Sequence, residues 1–192
     1  MSRQAVAETA DIFRSERLER VFARCFASSF NTVLVGGADE PLYQPAISPG
    51  EPHRLYYRED FFASALHEIS HWCIAGGPRL AQVDFGYWYA AEGRNEAQQK
   101  AFEAVEAGPQ GLEWVLSRAC GWHFQLSADN FGPEGVIPDT GEFALGVLRC
   151  ARQWCERGLP GRAQTMYAAL CKEFGTDLYW ADLKFQLADI RR

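Results

Sequence analysis

The residues with the clearest chemical capacity are His67, Glu68 and His71, in the run His67-Glu68-Ile69-Ser70-His71. On a helix, positions four apart lie one above the other. Both imidazoles can therefore converge on one ion, while Glu68 leans toward the ligand position that the protein leaves open. Two of the chain's four histidines fall in this pattern. Two imidazoles do not complete a metal site, and no third histidine follows at short range, because the chain continues Trp72-Cys73-Ile74-Ala75-Gly76-Gly77. His53 and His123 stand singly among aromatic or basic neighbours and read as ordinary hydrogen-bonded or exposed histidines. A carboxylate is the better third donor. In AFEAVEAGPQGLEW, Glu103 and Glu106 sit three apart and share a helix face, with Gln110 four residues beyond Glu106 if the helix survives Gly108 and Pro109. Glu106 is the first choice and Glu103 the second. Glu103 or Gln110 would otherwise stand behind the ligands, hydrogen-bonding a ligating histidine and fixing its tautomer.

Two histidines and one carboxylate leave one open position on tetrahedral zinc or three on octahedral iron. With zinc, Glu68 would be the general base for peptide hydrolysis. With ferrous iron, the open positions would serve dioxygen and the oxygenation of a C–H bond. Spacing alone favours the zinc hydrolase, since a glutamate directly after the first histidine is explained by hydrolysis and not by oxygenation. A site walled by aromatic residues pulls toward oxygenation, because it excludes water from a reactive oxidant. A silent interaction module with a structural metal is the third reading.

The elements that must position these residues follow from apolar periodicity and turn residues. Ala5 to Ser28 reads as an amphipathic helix with Ile12, Phe13, Val21, Phe22 and Phe26 on one face. Thr32 to Gly37, Pro41 to Ala46 and His53 to Glu59 read as strands of a small antiparallel sheet. A helix from Asp60, which can cap it, to Ala75 carries the His-Glu-His run and stops at Gly76, Gly77 and Pro78. Gln82 to Ala90 reads as a further strand. Asn95 to Ala107, Gln110 to Cys120, Gly141 to Arg157 and Gly161 to Phe174 carry helical spacing. The class is α+β, with a helical C-terminal half, and residues 1–192 form a single domain.

Composition bounds the partners. A net charge of −6 on 192 residues removes the basic footprint that nucleic-acid binding needs. No apolar run approaches the ~20 residues of a spanning helix, and the first twenty residues lack the apolar core of a signal peptide, so a cytoplasmic protein is expected. Six cysteines without a CxxC pair read as reduced thiols.

Four segments carry a family resemblance: FNTVLVGGADEPLYQPA, FFASALHEISHWCIAG, VDFGYWYAAEGR and FEAVEAGPQGLEW, spread from Phe30 to Trp114. In this order they resemble the elongation factor P hydroxylases, bacterial enzymes that hydroxylate the modified, β-lysylated lysine of translation elongation factor P. The resemblance implies a non-haem iron monooxygenase with Fe(II) held by His67, His71 and Glu106 and with dioxygen as cosubstrate. No arginine can be assigned from the sequence to a 2-oxoglutarate carboxylate. The implied substrate is cationic, so Asp84 and Glu68 are candidates for charge-assisted hydrogen bonds to it. Tyr87 and Tyr89, which flank Trp88 on the expected strand, are candidates for a pocket wall or a docking surface. The implied partner, elongation factor P, is expected to be acidic as well, so docking must rest on a local patch. A monomer is expected.

Overall fold

Leu18, Val21, Phe22 and Phe26 recur at three- and four-residue intervals and form the buried face of helix α1 (Ser15–Phe30). The computed structural model describes residues 12–84, 95–127 and 141–190. The helix expected from Ala5 lies before Ile12 outside these residues. Ile12 itself is exposed rather than part of the buried face, and the extended backbone of Arg14 sets the start of α1 at Ser15. Asn31 ends α1 in the left-handed region at φ 48°, which asparagine tolerates, and its Nδ2 donates to the carbonyl of Glu51 at 2.7 Å.

Three strands follow, β1 (Thr32–Ala38), β2 (Leu42–Gln44) and β3 (His53–Arg58), in the spatial order β1-β3-β2. The sheet is therefore not the antiparallel one expected. β3 runs antiparallel to β2 but parallel to β1, with Leu34 opposite Leu55 and Tyr43 opposite the same residue. Three short strands separated by turns look like a meander. Here the chain leaves β1 for the far edge, and β3 returns into the gap, where Leu55 and Tyr57 are buried. Of the strand expected over Gln82 to Ala90, Asp84 forms a single antiparallel bridge to Tyr43. Residues 85–90, including Tyr87, Trp88 and Tyr89, lie outside the described residues.

Helix α2 (Phe62–Ile74) buries Leu66, Ile69, Trp72 and Cys73 against α1 and the sheet. Asp60 does not cap it. Phe61 occupies the cap position, with no side-chain hydrogen bond to the first turn. Trp72 packs against Phe22 and Phe26 at ring-centroid distances of 4.9 and 4.7 Å. The guanidinium of Arg162 lies 4.5 Å over the Trp72 ring and donates to the carbonyls of Cys73 and Ala75, a cation placed on the negative end of α2. A short helix, α3 (Gly77–Leu80), follows.

The expected pair of helices over 95–120 is one continuous helix, α4 (Glu96–Cys120), with Pro109 inside it. Asn95 and Gln98 exchange the hydrogen bonds of a capping box at its start, and Gly121 ends it at φ 70°. Proline removes one amide from the helix ladder, but the buried faces on both sides of it outweigh that loss. Gly111 lies inside α4 for a packing reason. A Cβ there would lie 2.7 Å from the Cβ of Cys150 and 2.8 Å from the amide nitrogen of Ala151, so this glycine lets α5 (Gly141–Arg157) approach α4 closely. Helix α6 (Gly161–Phe174) completes the helical half. The last described segment packs onto α4 through Phe185, 4.8 Å from Trp114. The architecture is α+β around one buried apolar cluster. The six cysteines are free, with Cys73, Cys120 and Cys155 buried. No helix of the described residues is long and apolar enough to cross a membrane.

Candidate metal centre

Helix α2 turns its apolar residues to the core and presents His67 and His71 to α4, which packs against it. Nε2 of His71 lies 3.1 Å from Nε2 of His67. Oε2 of Glu106 lies 3.3 Å from the former and 3.5 Å from the latter.

 These three atoms form one triangle, and all three residues are at least partly shielded from water, with Glu106 only 1 % exposed. Metal–ligand bonds of ~2.0–2.2 Å place donors ~2.8–3.1 Å apart at right angles and ~3.3–3.6 Å apart at the tetrahedral angle. The observed edges span that range.

The tautomers also suit an ion. Nδ1 of His67 donates to Oε2 of Glu113 at 2.9 Å, so loss of the Nε2 proton to a bound ion turns that lone pair into the triangle. Glu113 is 6 % exposed, one helical turn beyond Gln110 on the same face of α4. Burial disfavours a charged His67 ring, but the hydrogen bond and charge of Glu113, then the charges of Glu106 and Glu68, outweigh it and push the ring up to about 10. Burial raises the carboxyls of Glu68 and Glu113 against the opposing pull of the histidines. It acts the same way on Glu106, but the hydrogen bond and charge of His71, then His67 and Gln110, hold that carboxyl below its ordinary value. Two imidazole nitrogens that face each other at 3.1 Å, with a buried carboxylate oxygen beside both, are a convergent donor set. The donor set therefore fits a divalent metal.

Of the residues singled out in the sequence, the fold brings His67, Glu68, His71, Glu106 and Gln110 to one place. Gln110, one turn beyond Glu106 on α4, exchanges two hydrogen bonds with the backbone of Ser127. Glu103 is not in the triangle; it lies about one turn before Glu106 along α4, where it accepts from Nε2 of Gln99 at 3.0 Å. Asp84 pairs with Arg79, so its charge is already balanced. His53 accepts the amide of Ala46 at 2.8 Å, as an ordinary structural histidine does. Sequence reasoning missed Glu113. The signal was its spacing of seven from Glu106, two helical turns, and it was hidden by breaking the helix at Pro109.

The family model described as elongation factor P hydroxylase matches residues 21–184, an interval that contains every residue of this centre. The chain is also 43 % identical over 162 residues to the elongation factor P lysine hydroxylase of Haemophilus influenzae, a match covering 84 % of this chain and 90 % of that relative. On a match of this extent, joined to a centre of two histidines and a glutamate, the chain belongs to the elongation factor P hydroxylase family.

Proposed function

We propose that this chain is an iron-dependent monooxygenase that hydroxylates the β-lysylated lysine of translation elongation factor P. The observation that supports it most directly is the convergence of His67, His71 and Glu106 in a chain that matches this family over most of its length. Fe(II) held by these three residues would supply the activation of dioxygen, the cosubstrate.

The remaining work falls to the chain's own side chains. Glu113 orients the His67 ring, and burial of α4 against α2 keeps bulk water from the Glu106 side. His67 retains 23 % of its side-chain exposure and His71 12 %, so the centre opens on the histidine side, where a long side chain can reach it. A divalent cation balances two of the three carboxylates, Glu106, Glu113 and Glu68. The third charge suits a cationic substrate, and Glu68 is the group we assign to it, since Asp84 is engaged by Arg79. The chain works as one domain and one copy, in the compartment where translation proceeds.

The test is metal analysis of protein purified without air or chelator, followed by incubation with β-lysylated elongation factor P and intact-mass measurement. Iron together with a gain of one oxygen on the substrate is the expected result. Zinc with an unchanged substrate mass, and peptide cleavage lost in Glu68→Gln, would overturn it in favour of a hydrolase.

A further inference from the structure

We infer that Arg162 is a positioning residue for the metal centre: from outside the site it holds the last turn of α2, and with it His71, in place. The inference rests on the metal-site reading above. Helix α2 ends at Ile74, so His71 opens its last turn, the part of a helix that frays most readily. The final carbonyls of a helix have no partners within it, and α2 is not closed by a left-handed glycine. Ala75, at the cap position, is extended at φ −56° and ψ 129°, and the permissive residues Gly76 and Gly77 follow. The carbonyl of His71 accepts the amide of Ala75 at 3.0 Å. That bond lasts only while Ala75 keeps its position.

Arg162, the second residue of α6, supplies the hold. Its Nη2 donates to the carbonyl of Ala75 and, at 3.3 Å, to that of Cys73. Its guanidinium lies 4.5 Å from the Trp72 ring centroid and 5.7 Å from that of Phe30 at the end of α1. One planar cation thus grips the backbone just after His71 and the side chain next to it, and ties both to α1 and α6. A guanidinium can stack on a ring and donate from its edge at once, which an ammonium cannot. His67 stands in the middle of α2 and is held by Glu113. The two imidazoles are therefore steadied by different elements, His67 by α4 and His71 by α6 through the end of α2.

The experiment uses the full chain with Co(II) as the probe ion. Arg162→Met keeps an apolar stem without charge or donors, and Arg162→Lys keeps the charge without the planar fork. Thr176→Val removes the hydrogen bond from Oγ1 of Thr176 to the carbonyl of Ala119, made outside α2, and is the stability control. Far-UV circular dichroism confirms folding before metal is added, and Tm is measured for each variant. The expected result is a Kd for Co(II) raised about 3–30-fold in Arg162→Met, with displaced visible Co(II) bands. Arg162→Lys should show a smaller rise, and Thr176→Val the wild-type Kd and spectrum. If Arg162→Met fails to fold, Arg162→Lys decides the question. Folded Arg162 variants with the wild-type Kd and spectrum would overturn the role of Arg162 and leave the metal site standing. An equal rise in Thr176→Val would overturn it too, since the effect would then be one of overall stability. Absence of Co(II) binding by the wild-type chain would overturn the metal-site reading as well.

Discussion

Nδ1 of His67 donates to Oε2 of Glu113 across 2.9 Å, between helices α2 and α4. This bond turns the N–H of the ring away from the triangle of donors and leaves Nε2 facing His71 and Glu106. It also holds a buried carboxylate that would otherwise be costly to leave unpaired.

Replacing Glu113 by Leu frees the His67 ring to change tautomer. The apparent affinity for Co(II) should fall about 10–100-fold, while Glu113→Gln, which retains an acceptor oxygen, should lose less. Equal affinities for all three proteins in a Co(II) titration would show that the bond does not orient the ligand.

Glu106 and Glu103 can be told apart by substitution. Glu106→Gln should lose bound iron and the one-oxygen product, whereas Glu103→Gln should keep both, because Glu103 bonds only Gln99 among the described contacts. Metal content after anaerobic purification is the readout. The reverse pattern would exchange their roles.

Gly111→Ala places a methyl group 2.7 Å from the Cβ of Cys150, and the backbone of α5 leaves it no room. We expect a loss of about 1–3 kcal/mol, seen as a fall in Tm of ~2–4 °C per kcal/mol in calorimetry. An unchanged Tm would mean that α4 and α5 can separate at no cost.

Burial pushes the Cys73 thiol up to about 12, against the opposing charge of Arg162. Iodoacetamide at pH 8 should therefore leave Cys73 unmodified in the folded protein and modify it after denaturation, as read by peptide mass spectrometry. Because the folded value lies above the unfolded one, the stability this thiol contributes is fully present below pH ~9 and is lost as pH rises toward about 12. Rapid labelling of the native chain at pH 8 would contradict the packing described around Trp72.

Much of this molecule was legible from local spacing. The His67-Glu68-Ile69-Ser70-His71 run defines its own geometry once it is helical, because four residues make about one turn. The same periodicity located α5 and α6 to their end residues, since each carries an uninterrupted apolar stripe. Local signals failed where two distant segments decide the outcome. Gly108 and Pro109 read as breakers, yet the buried seam with α5 carries α4 through both.

The sequence by itself determined that two imidazoles share one face of a helix and that a glutamate-bearing helix follows, because helical periodicity depends only on residues a few positions apart. Tertiary structure alone decided which carboxylates meet those imidazoles. Glu106 joins the triangle, Glu113 sits behind His67, Glu103 stays with Gln99 and Asp84 stays with Arg79. It also decided that β3 lies between β1 and β2. These pairings follow from the packing of whole helices and strands around a shared core, where contact between residues far apart in the chain depends on how every intervening element is placed.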